Sequence, residues 1–137
     1  MAMDYYREYI LEHYRNPRNY GTLEQPDAHA EDSNPLCGDQ LAIDLRIEGD
    51  RVAEVRFQGR GCAISQASAS MLSEMIEGHT VDEVIQLGKD DVLDALGISI
   101  SPARTKCAFL PLRVLHRSLA IAGLEKPKLD AEDGEEE

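Results

Sequence analysis

The segment Leu41-Ala42-Ile43-Asp44-Leu45-Arg46-Ile47-Glu48-Gly49-Asp50-Arg51-Val52-Ala53-Glu54-Val55-Arg56-Phe57 carries the clearest structural pattern in the chain. Leu41, Ile43, Leu45 and Ile47 alternate with Ala42, Asp44 and Arg46, and after Glu48-Gly49-Asp50 the residues Ala53, Val55 and Phe57 alternate with Glu54, Arg56 and Gln58. A period of two on either side of a glycine-containing turn predicts a β-hairpin with one buried face. The hairpin has a chemical consequence. Cys37 stands just before its first strand and Cys62 just after its second, so antiparallel pairing brings two cysteines together across a long separation in sequence.

Beyond the hairpin, Cys62 to Glu77 carries Ile64, Ala67, Met71, Leu72, Met75 and Ile76 on one stripe, with Gly78 placed to end a helix. Upstream, Tyr6, Tyr9, Ile10 and His13 at helical spacing predict a short amphipathic helix over Asp4 to Arg15, stopped by Asn16-Pro17. Arg18 to Leu36 reads as loop, with one irregular strand near Ala28 to Asp32. Downstream, two short helices are expected, Val81 to Leu87 with Thr80 as N-cap and Asp90 to Leu96 ended by Gly97. A last helix carries Leu112, Leu115, Leu119 and Ala122 on one face, interrupted by Pro111. Proline clashes with the carbonyl four residues back, so this helix is expected to begin no earlier than about Cys107. Cys107, like Cys62, would then sit at a helix N-terminus.

A chain of 137 residues is the size of one domain. The expected domain covers residues 1–124. Of the formal charge of -12, half comes from Asp130, Glu132, Asp133, Glu135, Glu136 and Glu137, so residues 125–137 read as an acidic, disordered tail. The acidic balance argues against nucleic acid, whose phosphates call for clustered Lys and Arg. No apolar run approaches the roughly 20 residues that cross a bilayer. An odd cysteine count, long spacings and a start without a basic and apolar leader point to a reducing, cytoplasmic setting rather than a disulfide framework.

Cysteine is often just a small core hydrophobe. Here, however, Cys37, Cys62 and Cys107 lie beside glycine, proline, polar or charged residues and outside the apolar stripes. Arg60 precedes Cys62, and Arg104 and Lys106 flank Cys107; basic neighbours at a helix N-terminus favour the thiolate. Gly38, Gly59 and Gly61 would let a metal, a cluster or a partner's thiol approach closely. No Cys-x-x-Cys pair marks a zinc finger. Asp39, two positions after Cys37, can fold back on the same centre as a fourth donor for zinc or iron. A mixed Cys3Asp set suits an exchangeable site. His13, His29, His79 and His116 read as surface or helix-face residues. Ser65, Ser68, Ser70 and Ser73 read as small packing residues without an acid-base partner.

Four motifs in order carry a family resemblance: His13-Tyr14-Arg15-Asn16-Pro17-Arg18-Asn19-Tyr20-Gly21, Asn34-Pro35-Leu36-Cys37-Gly38-Asp39, Gly59-Arg60-Gly61-Cys62-Ala63-Ile64-Ser65-Gln66-Ala67-Ser68-Ala69-Ser70, and Pro102-Ala103-Arg104-Thr105-Lys106-Cys107. The chain resembles the U-type iron–sulfur cluster assembly proteins, namely IscU, SufU and the N-terminal domain of NifU. The resemblance implies an α+β fold in which a small antiparallel sheet of about three strands packs against several helices. It implies a scaffold that takes sulfur from a pyridoxal-phosphate cysteine desulfurase of the SufS or IscS type, combines it with iron as a transient [2Fe-2S] cluster and passes the cluster to apo-proteins. Cys37, Cys62 and Cys107 would be ligands and sulfur acceptors, with Cys107 the candidate persulfide acceptor. Asp39 matches the aspartate that tunes cluster lability or ligates zinc.

Two departures from IscU are informative. Lys106 stands where IscU has a histidine, which leaves Asp39 as the fourth donor and is the SufU pattern. Yet the segment from Cys62 to Cys107 is short, as in IscU, and Ile98-Ser99-Ile100-Ser101-Pro102 replaces IscU's proline-rich chaperone motif. Three readings follow: a cluster scaffold, a zinc-dependent sulfur relay, and a small interaction domain stapled by zinc.

Overall fold

The computed structural model describes residues 2–34, 38–97 and 100–122. Cys37, Ile98, Ser99 and the acidic tail of residues 125–137 lie outside the described residues. The elements run α1 (Ala2–Arg15), β1 (Ala28–Asn34), β2 (Asp39–Glu48), β3 (Arg51–Arg60), α2 (Ala63–Ile76), α3 (Val81–Ile85), α4 (Lys89–Leu96) and α5 (Pro102–Ile121). The strands form one antiparallel sheet in the order β1-β2-β3. α5 lies along β1 and β2, α2 packs on β3 and α5, and α1 rests on α2. This is the α+β arrangement that the motifs imply.

The hairpin is present, with Ile43 opposite Phe57, Leu45 opposite Val55, and Gly49-Asp50 as the turn. Leu41, Ile43, Leu45, Val55 and Phe57 share the buried face. The alternation does not run through to Ala53. A bulge between Arg46 and Ile47 shifts the register, and Val52 takes the fully buried place instead; one extra residue moves the side chains beyond it to the other face.

α5 departs most from expectation. It starts at Pro102, five residues before Cys107, and carries Pro111 in its interior. Proline is well suited to the first helical position. The cost of the second proline is met by packing, since Ala108, Leu110, Leu112, Val114 and Leu115 on both sides of it are buried in the core. Tertiary contacts therefore override the local clash, and Cys107 sits in the second turn of α5 rather than at its N-terminus.

Serines on α2 hold the helices together by hydrogen bonds as well as by small size. Ser68 Oγ donates to the Ala108 carbonyl on α5 at 2.8 Å. Ser70 Oγ accepts from the Arg18 N–H at 2.8 Å and shares a hydrogen bond of 2.7 Å with His13 Nδ1. His13 is buried, as is His116; neither is a surface residue.

Two histidines give the fold opposing pH dependence. Burial, reinforced by Arg18, lowers the His13 pKa below its ordinary 6.5. Below about that pH the unfolded chain binds a proton that the folded one resists, so stability is lost as pH falls. His29 is raised above 6.5 by its hydrogen bond to Asp44, at 2.6 Å. Its contribution is complete below that value and is lost as pH rises through the folded pKa. In a His29→Gln variant that loss is absent, so the urea midpoint should fall less than the parent's as pH rises from about 6.5. A parallel profile would remove the His29–Asp44 pair from the account.

Candidate metal centre

Asp39 opens β2, where it pairs with Asn34 at the end of β1. Its side chain is completely buried. Cys62 is the N-cap residue of α2 in extended conformation, reached directly from the end of β3, and is partly exposed. Cys107 arrives from α5 and is completely buried. One donor atom from each of Asp39, Cys62 and Cys107 lies within 4.8 Å of the others. Strand, helix cap and helix interior thus converge on one point.

The carboxylate is held by one oxygen and left open at the other. Asp39 Oδ1 accepts the backbone N–H of Cys62 at 2.9 Å. Among the described residues, Asp39 Oδ2 has no hydrogen-bond partner although it is buried. A buried carboxylate oxygen without a partner is costly. A cation bound between it and the two sulfurs would supply what is missing, and two thiolates with a carboxylate are a donor set that zinc and iron accept.

Gly61 explains how the carboxylate gets there. Its φ is 151°, and a Cβ at this position would collide with Asp39 Oδ1. Gly59 likewise leaves room for the Gln40 carbonyl of the neighbouring strand. Among the described residues, what approaches these two glycines is the protein's own chain; Gly38 adopts φ 73° with open space around it. The Gly-x-Gly-Cys spacing was the available signal, but sequence alone does not say which atoms fill the gaps.

Of the four expected donors, three are together, and Cys37 lies outside the described residues. The Gly38 N–H donates to the Asn34 carbonyl at 2.8 Å. No histidine belongs to the metal-capable group among the described residues. Arg60, Arg104 and Lys106 are exposed. No helix among the described residues is long and apolar enough to cross a membrane.

Comparison with known proteins gives the same picture. Residues 5–125 match the profile of the NifU-like N-terminal domain. The chain is 38% identical to the zinc-dependent sulfurtransferase SufU of Bacillus subtilis, with 84% of this chain and 89% of that protein covered. It is 32% identical to the iron–sulfur cluster assembly scaffold protein IscU 1 of Archaeoglobus fulgidus, over 91% of this chain and 81% of the other. A crystal structure described as a putative iron–sulfur cluster assembly scaffold protein for the SUF system of Fervidobacterium islandicum superposes with a TM-score of 0.73 at 27% identity, covering 82% of this chain and 94% of that one.

Proposed function

This chain belongs to the family of NifU-like N-terminal domains, and on that footing we propose that it is an iron–sulfur cluster assembly protein, a scaffold that accepts sulfur from a cysteine desulfurase, holds iron or a [2Fe-2S] cluster, and transfers the cluster to apo-proteins. The observation that carries the reading is the meeting of Asp39, Cys62 and Cys107 around a buried oxygen without a partner. Residues 1–124 form the scaffold domain and 125–137 the acidic tail.

Cys37, Asp39, Cys62 and Cys107 are the proposed donors. Chain connectivity alone keeps the Cys37 Cα within about 7 Å of that of Asp39. A bound zinc or iron ion supplies Lewis acidity that keeps its thiol ligands deprotonated. The protein's part is to hold the sulfurs and one carboxylate oxygen in place. It also grades access: Cys62 is partly exposed while Cys107 is closed off. Cys107, proposed as the persulfide acceptor, therefore takes sulfur only when a partner opens this end. In that step its thiolate attacks the outer sulfur of the desulfurase persulfide and the desulfurase cysteine leaves as thiolate.

Anaerobic reconstitution with iron, cysteine and a pyridoxal-phosphate desulfurase should give visible charge-transfer absorption that Cys-to-Ala variants lack. The second reading, a zinc-dependent sulfurtransferase, is favoured by Lys106 in place of a histidine beside Cys107 and by the name of the Bacillus relative. It predicts a colourless zinc protein and, by mass spectrometry, one added sulfur on a cysteine. A protein that gains neither absorption nor a sulfur adduct, yet keeps its zinc, would be the stapled interaction domain.

A further inference from the structure

We infer that Tyr20 is a positioning residue for the metal centre, acting through the main chain of Gly59. This rests on the reading of Asp39, Cys62 and Cys107 as donors. β3 is an edge strand of the three-stranded sheet, and its outer edge carries a short continuation. Phe57 donates its N–H to the Asn19 carbonyl at 3.0 Å, and Gly21 donates to the Phe57 carbonyl at 2.8 Å. Two residues further along the same edge, a side chain takes over from main chain. The Tyr20 hydroxyl donates to the Gly59 carbonyl at 3.1 Å and accepts the Gly59 N–H at 3.5 Å. It stands in for a fourth strand where none continues.

The position gives the contact its meaning. Gly59 is pressed against the Gln40 carbonyl on its other side, so β3 is held from both edges at this residue. Immediately beyond it the chain turns through Gly61 and delivers the Cys62 N–H to Asp39. The Tyr20 ring stands edge-on against Phe57, with centroids 5.3 Å apart at 84°, which fixes the hydroxyl from the core side although half of the residue is exposed. Residues that orient a metal ligand from outside the ligand set typically contribute about 10- to 100-fold in affinity.

Tyr20→Phe keeps the ring and removes the hydroxyl. The expected result is about a tenfold weaker zinc affinity in chelator competition, with a shifted thiolate-to-metal charge-transfer band in the Co2+-substituted protein. The metal-free melting temperature should stay within about 3 °C of the parent. Thr80→Ala serves as the control, since it removes the N-cap of α3 at the hairpin-turn end of β3, away from the Tyr20 segment and the centre. Unchanged zinc affinity and Co2+ spectrum in Tyr20→Phe would overturn the inference. So would a loss of affinity that Thr80→Ala reproduces at equal loss of stability. If the parent binds neither Zn2+ nor Co2+ through Cys62, it is the metal-centre reading itself that fails.

Discussion

Gly61→Ala is expected to strip the protein of its metal although it removes no donor atom. The new Cβ would occupy the place of Asp39 Oδ1, and alanine at φ 151° adds backbone strain of order 1–3 kcal/mol. Relief comes from swinging Asp39 out of the centre, which also breaks its bond to the Cys62 N–H. Zinc affinity should fall by more than the roughly 10- to 100-fold that follows loss of an outer partner. Asp39→Ala should give the same defect, and the double variant should be little worse than either single one, because both remove the same interaction. Additive losses in titration calorimetry would mean that Gly61 does not act through Asp39.

Cys107→Ala is the second large effect, and it separates function from folding. The side chain is completely buried, but exchanging a thiol for hydrogen leaves only a small void, so the metal-free protein should still fold cooperatively with a modest fall in melting temperature. Metal retention and cluster absorption should disappear. Alkylation of the metal-free parent should label Cys62 in the native protein and reach Cys107 only in denaturant, following their exposure. Rapid labelling of Cys107 in the native protein would contradict the closed centre. A variant that holds zinc as well as the parent would exclude Cys107 from the donors.

The hairpin was legible because its alternation is local: side chains two apart share a face whatever else the chain does. The same locality identified Thr80, which accepts the Glu83 N–H while Glu83 caps back, and Gly97, which ends α4 at φ 72°. Where tertiary forces decide, sequence reading failed. Pro111 marks a helix boundary by its local carbonyl clash, and the buried leucines around it, which no local pattern reveals, carry the helix through. The bulge at Arg46 and Ile47 leaves no mark in a two-residue pattern. The proposed donors Asp39, Cys62 and Cys107 could be nominated from their neighbours, but the hold of Cys62 on one carboxylate oxygen and the contact from Tyr20 depend on β2, β3 and the loop before β1 meeting in space.

A centre drawn from the start of β2, the cap of α2 and the second turn of α5 exists only while those parts stay assembled. Occupancy and folding are therefore one equilibrium: free metal at a hundred times its dissociation constant raises the unfolding free energy by about 2.7 kcal/mol. A chelator then behaves as a mild denaturant. By the same linkage, separating the sheet from α5 would weaken the hold on a metal bound between them.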